Sequence, residues 1–337
     1  MRYHALSIVL IWIAGWATAF EVEDRARFGP ETASQTLKII STTDTAIFAP
    51  MMESFLDRTS DVAIDYTVAS STETMRAIQT EGQAFDLVIS SAMDLQTKLA
   101  NDGFAQRYVS SSTRALPQWG KWNDMVFAFS QEPAAIVVSN AAFADLSTPR
   151  SREDLISILR RNRDRFQGRV GTYDIRESGL GYLFATQESR VSETYWRLTE
   201  VMGGLDARLY CCSSQMIDDV ATGRLAVAYN VLGSYAFQRD DLDGLSIILP
   251  SDSTTIMLRS VIIPQKAPTP VLAGAFIDHM LDRAFETDGP FSVDRLISDR
   301  DSAGLSRINL GPGLLVYLDQ LKRAAFLQEW TNAILQP

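Results

Sequence analysis

The chain has two cysteines in 337 residues, and they are neighbours, Cys211 and Cys212. A framework of disulfides between distant segments is therefore excluded. A zinc site is not expected either, because two adjacent thiols without a nearby histidine make an incomplete ligand set. Histidine is equally scarce. His4 lies just before the N-terminal apolar stretch, which leaves His279, in the helical pattern "VLAGAFIDHML". A Ser-His-Asp hydrolase needs a histidine base beside its nucleophile. Neither a G-x-S-x-G elbow nor a Walker A or dinucleotide glycine pattern occurs. The sequence reads as that of a non-enzyme with no cofactor and no metal. Basic charge is in deficit, with 31 Lys and Arg against 41 Asp and Glu, a net charge of −10 and a pI near 4.8. Such a chain is a poor partner for nucleic acid or for an anionic membrane surface.

Long apolar runs are absent but for one, in "MRYHALSIVLIWIAGWATAF". Arg2 opens it, the apolar stretch follows from Ala5, and Ala17-Thr18-Ala19 supplies small residues in the A-x-A pattern. This is the layout of a cleavable secretory signal, and the run is short for a span of about 20 apolar residues. Residues 1–19 are therefore expected to be a signal peptide and the mature protein to be periplasmic and soluble. Loss of Arg2 with the signal takes the net charge from −10 to −11. No cysteine lies at the cleavage point, so no lipid anchor is expected. Residues 20–35, rich in charged and polar residues, are expected to be a flexible lead-in outside any core.

From Leu37 onward, strand-like and helix-like segments alternate. "LKIIS", "VAIDYTV" and "FDLVIS" read as strands, with helical patterns between and after them. Strands alternating with helices imply parallel βαβ units. Two strand-like runs, "MVFAFS" and "AAIVVSN", lie close together before a second α/β series begins, and "LSIILPSDSTTIMLRSVIIP" brings a second crossing. The expected architecture is α/β and bilobal. Ligands of such sheets sit beyond the carboxyl ends of the strands, in the crevice between lobes.

The residues that follow each strand are therefore candidates: Thr42 and Thr43, Ser70 and Ser71, Ser90 and Ser91, Arg176, Ser178 and Gly179, Ser213 and Ser214, and Asn230. Nearly all belong to hydroxyl-rich turns that open helices. A helix N-terminus presents unpaired N–H groups and partial positive charge, so several aimed into one cleft make an anion site. Each hydroxyl can equally serve as an N-cap alone. Arg176 can add a charged fork. Trp119, Trp122 and Tyr210 offer either an apolar wall for a ring or packing near the hinge.

The order "STTD…F…F", "FDLVISSAMD", "KLANDGFAQ" resembles bacterial periplasmic solute-binding proteins of ABC transporters, as do "ILPSDSTTIMLRSVIIPQKAPTPVLAGAFIDHML" and the ending "INLGPGLLVYLDQLKRAAFLQEW". The branch it is similar to holds iron(III)-binding, hexose-phosphate-binding and phosphoglycerate transport regulatory proteins. The resemblance implies a type II periplasmic-binding-protein fold, two α/β lobes joined by a two-strand hinge. Lobe one would be residues 36–131 and 253–337, and lobe two residues 132–252. It implies a monomer that captures a small anionic solute for an inner-membrane ABC permease, or that reports to the periplasmic domain of a sensor kinase. Iron binders of this branch use an adjacent tyrosine pair, and here Ser234 and Tyr235 stand at those positions. One phenolate is missing, so iron is the weaker reading and Tyr235 is expected to contact an organic solute.

The cysteine pair has two readings. In an oxidising compartment neighbouring thiols close a vicinal disulfide that stiffens the turn before Ser213. Alternatively, they are buried reduced thiols that pack as small hydrophobes.

Overall fold

The computed structural model describes residues 19–239, 242–284 and 304–336. The expected signal peptide lies outside these, Ala19 excepted. The chain runs through β1 (Asp24–Phe28), β2 (Gln35–Ser41), α1 (Thr45–Leu56), β3 (Val62–Val68), α2 (Ser71–Gln79), β4 (Leu87–Ser90), α3 (Met93–Asn101), α4 (Ser111–Ala115), β5 (Lys121–Trp122) and β6 (Val126–Ala128). It continues through β7 (Glu132–Ser139), α5 (Arg152–Arg161), α6 (Arg163–Phe166), β8 (Val170–Tyr173), α7 (Gly179–Val191), α8 (Thr194–Gly203), β9 (Arg208–Tyr210), α9 (Ser213–Ala221), β10 (Val227–Leu232) and α10 (Gly233–Phe237). Then come β11 (Leu245–Ile248), β12 (Thr254–Met257), β13 (Ser260–Ile262), α11 (Pro270–Ala284), β14 (Leu305–Arg307) and α12 (Gln320–Leu335).

These strands form two sheets. The first has the order β1-β3-β2-β4-β13-β6-β5, and the second β14-β12-β7-β10-β8-β9, with β11 also paired to β7. In the first sheet β3, β2 and β4 are parallel neighbours. Their apolar runs are covered on both faces, as parallel strands require: Leu37, Ile39, Ile64, Tyr66 and Leu87 are buried against α1 and α11 residues such as Phe48, Met52 and Phe276. In the second lobe Val170, Val227 and Ile136 are buried with Leu155, Leu198 and Trp330. No described helix is long and apolar enough to cross a membrane.

Two expectations are corrected. Residues 20–35 are not a free lead-in, because β1 adds antiparallel to the outer edge of β3, from Asp24 opposite Val68 to Phe28 opposite Ile64. Gly29 turns the chain away with φ 88°, where a Cβ would lie 2.7 Å from the Val62 carbonyl, so the strand ends on a residue that only glycine supplies. The C-terminal segment does not belong wholly to lobe one: Leu310 N bonds the Trp119 carbonyl there, but the flanking elements sit on lobe two. β14 pairs with β12 in the second sheet, and α12 packs on that lobe through Phe326, Trp330 and Ile334. Lobe one is thus built from β1–β6, β13 and α11, and lobe two from β7–β12, β14 and α12. The chain passes between sheets from β6 to β7, from β12 to β13, and again between α11 and β14.

The first two passages are tied by a buried ion pair. Arg259 and Glu132 are both fully buried and bonded at 2.9 Å. Glu132 also accepts from Ser130 and from Ser234 at the start of α10, while Arg259 donates to Thr43 Oγ1 at 2.6 Å. Thr43 lies in lobe one and Ser234 in lobe two, so this network joins both lobes beneath the cleft. Burial opposes the Glu132 charge, yet the Arg259 charge and the hydrogen bonds outweigh it and hold the carboxyl below its usual range.

Candidate functional site

A cavity of about 940 Å³ opens between the lobes, where strand ends meet helix starts. Small-molecule sites commonly fall in this size range. Four helices begin on it: α1 after Asp44, α2 after Ser70, α7 after Ser178 and α9 after Cys212. Each follows a strand so closely that its first turn lies at the sheet's carboxyl edge. Packing fixes these directions. At Gly181 a Cβ would fall 2.3 Å from Tyr173 Cβ, so the missing side chain lets α7 lie directly on β8.

Of the thirteen residues expected at the site, nine line this cavity: Thr42, Ser70, Ser71, Ser91, Arg176, Ser178, Ser213, Ser214 and Tyr235. Several are already engaged. Ser70 caps α2 by accepting from Glu73 N at 3.2 Å, and Ser178 caps α7 by accepting from Gly181 N at 3.2 Å. Thr42 and Ser91 bond each other across the ends of β2 and β4 at 3.2 Å. Ser213 Oγ is bonded to Tyr173 at 2.5 Å and accepts from Leu232 N at 3.0 Å, binding α9 to β8 and β10. Arg176 is held by Asp174, with Nε–Oδ1 at 2.8 Å and Nη2–Oδ2 at 2.5 Å. Its fork is therefore not an open anion clamp.

Four expected residues lie elsewhere. Thr43 is buried under Arg259. Ser90 turns back to accept from Ala92 N at 3.1 Å. Gly179 lies at a close approach between lobes, where a Cβ would lie 2.5 Å from Ser71 Oγ. Asn230 sits at the β10 bulge with φ 63°, facing a small space beside Tyr195 and Trp330. The aromatic wall is also absent from the cavity lining. Trp119 stacks under the Arg307 guanidinium at 4.1 Å, and Tyr210 donates to Asp219 at 2.6 Å.

Cys211 and Cys212 are joined to each other by a disulfide and line the cavity at the entry to α9. Cys212 is the N-cap residue of that helix. The lobes also meet across the cleft. Tyr235 from α10 bonds the Asp44 carboxylate at 3.2 Å, and Thr72 donates to the Glu177 carbonyl at 3.1 Å. Burial pushes the Tyr235 hydroxyl up, so it remains a neutral phenol.

The acidic lining was not anticipated from the sequence. Glu21, Glu23, Asp24, Asp44, Glu73 and Glu177 border the cavity beside one basic residue, Arg176. Three of these lie in the segment read as a lead-in. The signal was present: Val22, Ala26 and Phe28 are spaced at even intervals among charged residues, a period of two that marks a half-buried strand.

The sequence profile of a family described as "Bacterial extracellular solute-binding protein" matches residues 37–286. No curated protein shows a significant match. Among solved structures, the substrate binding protein of the ABC transporter from Agrobacterium tumefaciens is 29% identical over 92% of this chain and 98% of that one, with a TM-score of 0.84. The periplasmic binding protein AfuA from Actinobacillus pleuropneumoniae, with exogenous fructose-6-phosphate bound, is 15% identical over 89% and 99%, with a TM-score of 0.69. Iron-bound HitA from Pseudomonas aeruginosa is 12% identical over 88% and 99%, with a TM-score of 0.65. The last two likenesses carry the fold alone, the type II periplasmic-binding-protein fold.

Proposed function

The chain belongs to the bacterial extracellular solute-binding protein family, and from that premise we propose that it captures a small anionic solute, a phosphate ester or a carboxylate, between its lobes. It is exported through a cleaved signal, and its closed form delivers the solute to an inner-membrane ABC permease. The transport reading is favoured over sensing by the likeness to an ABC transporter's substrate binding protein over 92% of the chain. Solute binding without turnover is the reading for the whole family.

One observation carries the anionic reading: four helix starts converge on a single cavity. Their first-turn N–H groups and aligned dipoles favour negative charge without basic side chains. The iron reading has less support, because Ser234 stands beside Tyr235 and its hydroxyl is committed to Glu132. Among the described residues no group of three His, Cys, Asp or Glu is placed to hold a metal ion. The test is calorimetric titration of the mature protein with sugar phosphates, phosphoglycerates, di- and tricarboxylates, neutral sugars and Fe(III). Saturable binding is expected among the anions. Binding confined to neutral sugars or to Fe(III) overturns the reading.

The cysteine pair supports the same turn. It closes a loop of adjacent residues only, so it removes little entropy from the unfolded chain. It stiffens the entry to α9 and so helps preorganise that helix's N–H groups. Replacing both cysteines by serine is expected to leave the melting temperature nearly unchanged and to weaken anion binding. A double variant that melts far lower yet binds normally would assign the pair to folding instead.

A further inference from the structure

Among the described residues five carboxylic acids are buried: Asp86, Asp94, Glu132, Asp174 and Glu188. Glu132, Asp174 and Glu188 are paired with Arg259, Arg176 and Arg152. Asp86 accepts from the Lys38 amide and from Thr269 Oγ1. Asp94, in the first turn of α3 and 2% exposed, has neither a cation nor a side-chain donor among the described residues. It accepts from the main chain of its own turn, with Leu95 N at 2.9 Å.

Asp94 is buried where the lobes meet. Helix α3 packs against α7 and against the 3-10 helix Pro312–Leu318 that leads into α12. The next residue, Leu95, is one that a Cβ on Gly179 would strike, at 2.9 Å. From the second lobe, Tyr182 of α7 and Arg323 of α12 act on Asp94 electrostatically. The Tyr182 hydroxyl is committed to the Tyr317 carbonyl of the 3-10 helix, and the Arg323 guanidinium lies over the Tyr182 ring at 4.7 Å. From the first lobe, β4, β6 and β13 bring no charged residue to α3. Glu73 and Arg76 of α2 pair with each other, and Lys98 of α3 pairs with Asp102.

We propose that closure of the lobes takes up one proton at Asp94, so that acidification favours the closed, solute-holding form. Parting α3 from α7 and α12 returns the carboxyl to water, where its ordinary value is about 3.9. In the closed form burial pushes it up to about 7, against the pull of its own turn's N–H groups and of Arg323. The closed form therefore binds more protons than the open form between about pH 4 and 7. Closure is independent of pH above that window and gains up to about tenfold per unit as pH falls through it. This goes beyond the anionic reading and does not depend on the charge of the solute.

The test is calorimetry of wild type and Asp94→Asn at pH 5.5, 7 and 8.5 with fructose 6-phosphate, 3-phosphoglycerate, citrate and glucose. Titration of the probe itself is common to both proteins and cancels in their ratio. Asparagine stands for the protonated acid, so the variant is expected to bind tighter than wild type at pH 8.5. That advantage should shrink by about thirtyfold at pH 5.5. Solution X-ray scattering of the unliganded proteins should show wild type growing more compact over the same fall in pH and the variant unchanged. Melting is the control. A carboxyl raised on folding costs stability as pH rises through its folded value, so Asp94→Asn should melt higher than wild type at pH 8.5, with the difference shrinking towards pH 5.5. A pH-dependent melting difference beside a pH-independent affinity ratio would mean that Asp94 stays buried in both forms, and the inference fails. If no probe binds, a scattering curve that does not change with pH overturns it equally. Binding of glucose alone, with the ratio shifting as expected, would overturn the anionic reading and leave the proton linkage standing.

Discussion

Replacing Glu132 with alanine is expected to destabilise the protein by about 3–5 kcal/mol, because it leaves Arg259 buried without a counter-charge. Arg259 and Glu132 are both inaccessible to solvent, and their network joins Thr43 of one lobe to Ser234 of the other. The double variant Arg259→Met with Glu132→Leu should lie closer to wild type than either single change, since an apolar pair leaves no uncompensated charge. The pair also predicts a pH dependence. The folded carboxyl of Glu132 is held below its unfolded value, so the stability it contributes is fully present above the ordinary glutamate range, about pH 4.3. It is lost as pH falls from there through the folded value. Urea unfolding of wild type and Glu132→Gln between neutral pH and pH 3 measures this. A glutamine variant with the same acid slope as wild type would place the dependence on other carboxyls.

Gly179→Val is expected to raise the dissociation constant of whichever anion binds by at least about tenfold, equivalent to ~1.4 kcal/mol. Gly179 begins α7 in the second lobe and touches α2 and α3 of the first. A Cβ there would lie 2.5 Å from Ser71 Oγ and 2.9 Å from Leu95 Cδ1. A branched side chain must push the lobes apart at that contact, and a protein whose closed form is less populated binds with proportionally lower affinity. Neither lobe's own core includes this contact, so melting of the unliganded protein should change much less than affinity. Unaltered binding by the valine variant would show that closure does not bring α2 and α7 together in the bound state.

Much of the cleft could be read from the sequence because its residues follow strands directly. Ser70, Ser178 and Ser214 are local features: a strand ends, a hydroxyl residue follows, and a helix starts. What could not be read depends on partners far along the chain. Thr43 looks like any other strand-end hydroxyl until Arg259, 216 residues away, takes its oxygen. Arg176 looks like a free cation until the turn closes it onto Asp174. The lobe boundary failed for a related reason. Helix α12 is amphipathic through Phe326, Trp330 and Ile334, but that pattern states only that a face is buried, not which lobe buries it. The acidic lining was missed because residues 21–24 were judged by their polarity rather than by their alternation.

The central claim is that one anion is held at once by helix starts from both lobes. Hydrogen exchange of the backbone amides, with and without the tightest-binding anion of the calorimetric panel, tests it most directly. Exchange should slow together at residues 71–73 of the first lobe and at residues 179–181 and 213–215 of the second. Protection confined to one lobe, or to a surface away from these turns, would contradict it.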